Sequence, residues 1–187
     1  MSINLNDIPY KEMVAGEQSK SDLHFKLQQL DALLCMSSEI LELYFIGGSA
    51  CILGDLIYRM TMDIDILDID YPSKIGKFLS ILEPYDLLEF THTSVSRTYI
   101  KRAKLLTGFK NLKCYILSPE DLIISKLCRY SEKDIQDIEI LMTYSKKEVL
   151  DTIINEVEED LHSRIPRIAE NFMMNVKIFI RRFDSDV

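Results

Sequence analysis

GGSACILGDLIYRMTMDID, residues 47–65, sets two glycines and a serine behind the apolar run LELYFI and two aspartates on the far side of a short apolar segment. A glycine turn between strand and helix lets backbone N–H groups approach an anion closely, and the start of a helix adds partial positive charge. The spacing is neither a phosphate-binding Walker loop, because no G-K-[ST] follows, nor the G-x-G-x-x-G dinucleotide fingerprint. Glycine also serves packing alone in such turns, so Gly47-Gly48 by itself is weak evidence. The aspartates add weight. On a strand, Asp63 and Asp65 face one side while Ile64 and Ile66 face the other, which anchors the strand in a core and converges two carboxylates. Converging carboxylates suit a hard divalent cation such as magnesium, which bridges protein oxygens to substrate phosphates. The alternative is a strand with a solvated acidic face.

Outward from this stretch, hydrophobic periodicity predicts an α/β (α+β) chain with a helical C-terminal half. Apolar positions 23, 27, 30 and 34 predict a helix over 23–40, with Asp22 as a candidate cap. Residues 41–46 read as a strand, 49–56 as a buried helix, and MDIDIL as a second strand. Residues 73–82 read as helix, and further strands are expected near 86–90 and 112–117. Ser118-Pro119-Glu120-Asp121 and Ser131-Glu132-Lys133-Asp134 carry helix-start signals. The expected organisation is a polar lead-in over 1–20, a core over 21–117 and a helical region over 118–187 packed on it. A stripe of Met173, Met174, Ile178 and Phe179 reads as a helix face packed against the domain or a partner.

With 187 residues and 47 % hydrophobic content, the chain can bury the core of one catalytic-size domain. Residues 43–58 are too short and too polar to span a membrane, and the first residues lack a signal-peptide pattern, so a cytoplasmic protein is expected. A net charge of −8 argues against binding nucleic acid chiefly through phosphate neutralisation. The charge is uneven, however. Arg97, Lys101, Arg102, Lys104, Lys110 and Lys113 occur with no acid among them, which reads either as a local anion site or as a solvated basic helix face. Asp68 and Asp70 form a second D-I-D, but Leu67 breaks the alternation, so they read as the close of the strand. Asp134 reads as a capping acid and Asp137 as the partner of a nearby base.

Gly48-Ser49 followed by Asp63-Ile64-Asp65-Ile66 resembles the signature of the nucleotidyltransferase fold of polymerase-beta-like enzymes. SPEDLIISKL and RYSEKDIQDIEIL further resemble small bacterial nucleotidyltransferases of the AbiEii-like toxin type, so the likeness covers about residues 41–143. It implies the nucleotidyltransferase-fold mixed sheet flanked by helices, and magnesium-dependent transfer of a nucleoside monophosphate from a nucleoside triphosphate to a hydroxyl on RNA, such as tRNA, or on protein. It also implies a toxin paired with an antitoxin protein. By the same resemblance Gly47, Gly48 and Ser49 would hold the triphosphate, Asp63 and Asp65 would ligate Mg2+, and Lys126 and Arg59 would meet phosphate. On its own residues, Lys126 reads equally as a surface lysine. Members usually add a third carboxylate from the next strand. Glu89, inside an apolar run where a buried charge needs a cation or partner, is the choice over Asp86 at the strand entrance. A fold left with two acids would instead be a catalytically silent domain that binds a protein.

Overall fold

The computed structural model describes residues 16–90, 93–164 and 166–183; most of the expected lead-in lies outside them. A five-stranded mixed sheet in the order β3-β2-β1-β5-β4 forms the centre. Its strands are β1 (Leu41–Phe45), β2 (Ile64–Leu67), β3 (Tyr85–Leu88), β4 (Lys104–Leu106) and β5 (Leu112–Ile116). β1 runs parallel to β5 and antiparallel to β2, β3 runs parallel to β2, and β4 closes the other edge antiparallel to β5.

Alternation dictates what each sheet face carries. In β1, Leu41, Leu43 and Phe45 are core residues, as are Leu112, Cys114 and Ile116 in β5. The opposite face carries an aromatic cluster: Tyr44 stacks on Tyr115 at 4.8 Å between centroids and meets Tyr99 edge-on at 5.3 Å. Helix α1 (Lys20–Ser37) buries Leu23, Leu27, Leu30 and Leu34, a stripe at helical spacing. Its cap is Ser19, whose side chain accepts from the Asp22 N–H while Asp22 reaches back to Ser19. Asp22 is thus the third residue of a capping box rather than the cap itself. From α1, the Asp31 carboxylate accepts the N–H groups of Lys110, Asn111 and Leu112 and fixes where β5 begins.

Helix α2 (Gly47–Leu53) follows β1 after the single residue Ile46, two residues earlier than the periodicity predicts, because the glycines themselves form its first turn. Residues 73–82 divide into 3-10 turns around the short α3 (Gly76–Leu79). The strand β4 lies in the basic stretch; three residues, KLL, are too few to show a period. The C-terminal half holds α4 (Pro119–Leu127), α5 (Glu132–Leu141), α6 (Lys147–Arg164) and α7 (Pro166–Phe183). Ser118 caps α4 and Ser131 caps α5, each accepting from the N–H three residues on. Helix α4 packs against α2, α5, α6 and α7 and so brings the C-terminal helices to the rim of the sheet. Among the described residues no helix is long and apolar enough to cross a membrane.

Candidate active site

The β1–α2 turn is built around the acidic strand. Gly47 has φ +62°, and a Cβ there would lie 2.0 Å from Asp65 Oδ2, so both its backbone conformation and its lack of a side chain are required. The Gly48 N–H donates to Asp65 Oδ2 at 3.1 Å. Ser49 sits behind the turn. It is 0 % exposed, and its hydroxyl donates to the Ile46 carbonyl at 3.1 Å and accepts the Asp65 N–H at 3.1 Å. The resemblance put Ser49 on the triphosphate, but its side chain is turned inward and lashes β2 to the start of α2.

Ile64 and Ile66 enter the core, which leaves Asp63 and Asp65 on the opposite face. The parallel register of β2 and β3 sets Asp86 directly beside Asp65. Carboxylate oxygens of Asp63, Asp65 and Asp86 all lie within 4.8 Å of one another. The third acid is therefore Asp86 and not Glu89. Glu89 lies three residues on, past the end of β3, and is outside the cluster of carboxylates. Asp86 was legible as a candidate, but only strand register could promote it. Burial first, then the charge of Asp63 and to a smaller degree that of Asp86, pushes the Asp65 carboxyl up to about 6, against the Gly48 N–H bond that favours the anion. Three crowded oxygen donors with a destabilised carboxylate fit a hard divalent cation.

The acids form one side of a cleft of about 630 Å³; the other side comes from α4, α5 and the loop before β2. Lys126 is 6 % exposed and its Nζ donates to Asp137 Oδ2 at 2.6 Å. Arg59 grips the same carboxylate, Nε to Oδ1 at 3.2 Å and Nη2 to Oδ2 at 2.9 Å. Arg129 pairs with Asp134 through two bonds of 2.8 Å. Burial opposes ionisation of Asp134, but Arg129 and the Ser131 hydroxyl and N–H outweigh it and hold the carboxyl at about 2. Arg129 and Lys133 were not singled out in the sequence, and neither was the pairing of Arg59 with Asp137, residues 78 apart that meet only when α5 folds against the α2–β2 loop.

The cleft thus joins a carboxylate trio on two adjacent strands, a glycine turn and a wall of cations. A model of the family described as nucleotidyltransferase of unknown function (DUF6036) matches residues 24–183. The chain belongs to that family. No curated protein matches the sequence. A solved structure of an antigenic nucleotidyltransferase-like protein from Paracoccidioides brasiliensis is 15 % identical, with a TM-score of 0.44, over 84 % of this chain and 94 % of that one.

Elsewhere in this nucleotidyltransferase-family chain, the second D-I-D closes β2. Asp68 accepts the Asp70 N–H at 3.0 Å, and Asp70 itself has φ +63°. The basic stretch is not a helix face, and several of its cations are already committed. Arg97 pairs with Asp160, and Lys113 pairs with Glu42 at 2.6 Å. Arg102 forks onto the fully buried Asp121 at 2.9 and 2.7 Å and also donates to Ser96 and Thr98.

Proposed function

We propose that the protein is a magnesium-dependent nucleotidyltransferase that moves a nucleoside monophosphate from a nucleoside triphosphate to a hydroxyl acceptor and releases pyrophosphate. The observation that carries this reading is the convergence of Asp63, Asp65 and Asp86 beside the Gly47-Gly48 turn. Asp63, Asp65 and Asp86 would hold the metal, which when bound supplies Lewis-acid neutralisation of the charge on the transferring phosphoryl group. The protein's own part is positioning. Gly47 and Gly48 lack the side chains that would displace the Asp65 carboxylate and the Arg59 guanidinium, and Arg59 and Lys126 would offset the charge of phosphates in the same cleft. In this reading a carboxylate of the trio would also accept the proton of the attacking hydroxyl.

The acceptor in this reading is RNA, such as the tRNA 3′ end, or a protein side chain. The setting is a cytoplasmic toxin of AbiEii-like type held in check by an antitoxin; both rest on the sequence resemblance. The test is incubation with each labelled triphosphate and magnesium against total RNA and total protein. Label transfer by the parent and none by Asp63→Asn or Asp86→Asn is the expected result. A parent that transfers no label but binds a protein would support a second reading, a silent fold acting as a binding module. One observation favours that alternative: on α7, Met174 and Ile178, one turn apart, are 57 % and 45 % exposed.

A further inference from the structure

Asp137 shares the cleft with the carboxylate trio and the glycine turn, and there it holds two of the lining cations, Arg59 and Lys126. It sits on α5, is 3 % exposed, and receives three donors: Arg59 Nε, Arg59 Nη2 and Lys126 Nζ. Two cations this close repel each other, and the carboxylate they share offsets that repulsion, with Asp134 as a more distant second partner of Lys126 at 3.7 Å. Arg59 is fixed further by a bond from Nη1 to the Met60 carbonyl at 3.0 Å. With both edges of its fork held, Nη2 is pressed against the glycine turn, where a Cβ on Gly48 would lie 2.8 Å from it. Each partner comes from a different part of the chain: Arg59 from the loop before β2, Lys126 from α4 and Asp137 from α5.

We infer that Asp137 is a positioning residue for polyphosphate recognition: it sets Arg59 and Lys126 as a paired anion receptor opposite the metal-binding carboxylates. This rests on the nucleotidyl-transfer reading of the cleft. The bidentate grip is geometric as well as electrostatic, since guanidinium and carboxylate match in a fork. Asparagine at 137 keeps the size but presents an NH2 group to two donors, so it cannot hold both. Arg59, on a loop, then leaves the turn.

The experiment measures binding of the four magnesium–nucleoside triphosphates, of inorganic tripolyphosphate and of the corresponding nucleosides by calorimetry, with folding of every variant checked by circular dichroism. Asp137→Asn is expected to weaken triphosphate and tripolyphosphate binding by tenfold or more while leaving nucleoside binding within twofold. Arg59→Gln is expected to do the same, and the double variant to bind no more weakly than the worse single, because both changes remove one unit. Should Asp137→Asn fail to fold, Arg59→Gln and Lys126→Met carry the test, and polyphosphate affinity unchanged in both would overturn the inference. A parent that binds triphosphate as tightly as a folded Asp137→Asn overturns it and leaves the nucleotidyl-transfer reading standing. Effects of Asp137→Asn and Arg59→Gln that simply add overturn it as well. A parent that binds none of the triphosphates and no tripolyphosphate overturns the reading of the cleft and the inference with it.

Discussion

Replacing Asp65 by asparagine should stabilise the metal-free protein while abolishing its response to ligand. Its folded carboxyl is raised from 3.8 to about 6 by burial and by Asp63, with Asp86 adding to it. A shift of roughly two units corresponds to about 3 kcal/mol of penalty when the group is ionised, an upper figure because solvent and side-chain adjustment relieve part of it. Asparagine removes the charge and keeps an oxygen to accept the Gly48 N–H. The variant should therefore gain about 1–3 kcal/mol, or about 2–10 °C in melting temperature for a chain of this length. The sign gives an internal control. A folded pKa above the unfolded one means that the folded parent binds its proton more tightly, so the penalty is full above about pH 6 and vanishes below about pH 4. The advantage of Asp65→Asn should shrink across that window. With magnesium and triphosphate at about a hundred times Kd, mass action would stabilise the parent by about 2.7 kcal/mol, and the variant should lose that increment. Thermal melts in chelator and in magnesium plus triphosphate, at about pH 8 and about pH 4, decide it. A variant less stable than the parent in chelator at the higher pH, or one that keeps the ligand increment, would refute the reasoning.

Gly47→Ala should cost about 1–3 kcal/mol by placing a side chain at φ +62°, and should also remove the ligand increment, because its Cβ displaces the Asp65 carboxylate; denaturant melts with and without ligand read both effects. Asp68→Asn and Asp70→Asn should keep the ligand increment in the same melts, since these residues form the turn after β2. Asp121→Asn should destabilise by about 3–5 kcal/mol in urea unfolding, since Arg102 would be left partly buried with half its partner. Asp134 is held at about 2, below its ordinary 3.8, so its contribution of about 2 kcal/mol is present above about pH 4 and lost as pH falls toward 2. Asp134→Asn should flatten stability across that acid range, as followed by urea melts at stepped pH.

The legible parts of this molecule are those written in local period and local chemistry. The stripe of α1, the alternation that splits Ile64 and Ile66 from Asp63 and Asp65, and the serine caps of α4 and α5 each depend on neighbours within a turn or a strand. What escaped depends on register and docking. Asp86 outranks Glu89 only because β3 pairs with β2 in one alignment, and nothing within DLLEF encodes that alignment. Arg102 looks like a free cation in a basic run until α4 brings Asp121 beneath it. Asp137 was legible as the partner of some base, but which bases, and how many, came from the meeting of three distant segments. β4 was too short to announce itself.

The inward hydroxyl of Ser49 alters what its dipeptide signature can diagnose. By bonding the Ile46 carbonyl and the Asp65 N–H, it makes the turn and the acidic strand a single rigid body. That service is architectural, so a chain that had abandoned catalysis would still need the serine to hold its sheet to its helix. Both partners of the serine are backbone groups, so in the nucleotidyl-transfer reading loss of the carboxylates at 63, 65 and 86 would end the chemistry and leave this bracing in place. Under that reading the acids, not the serine, are the positions that report on activity.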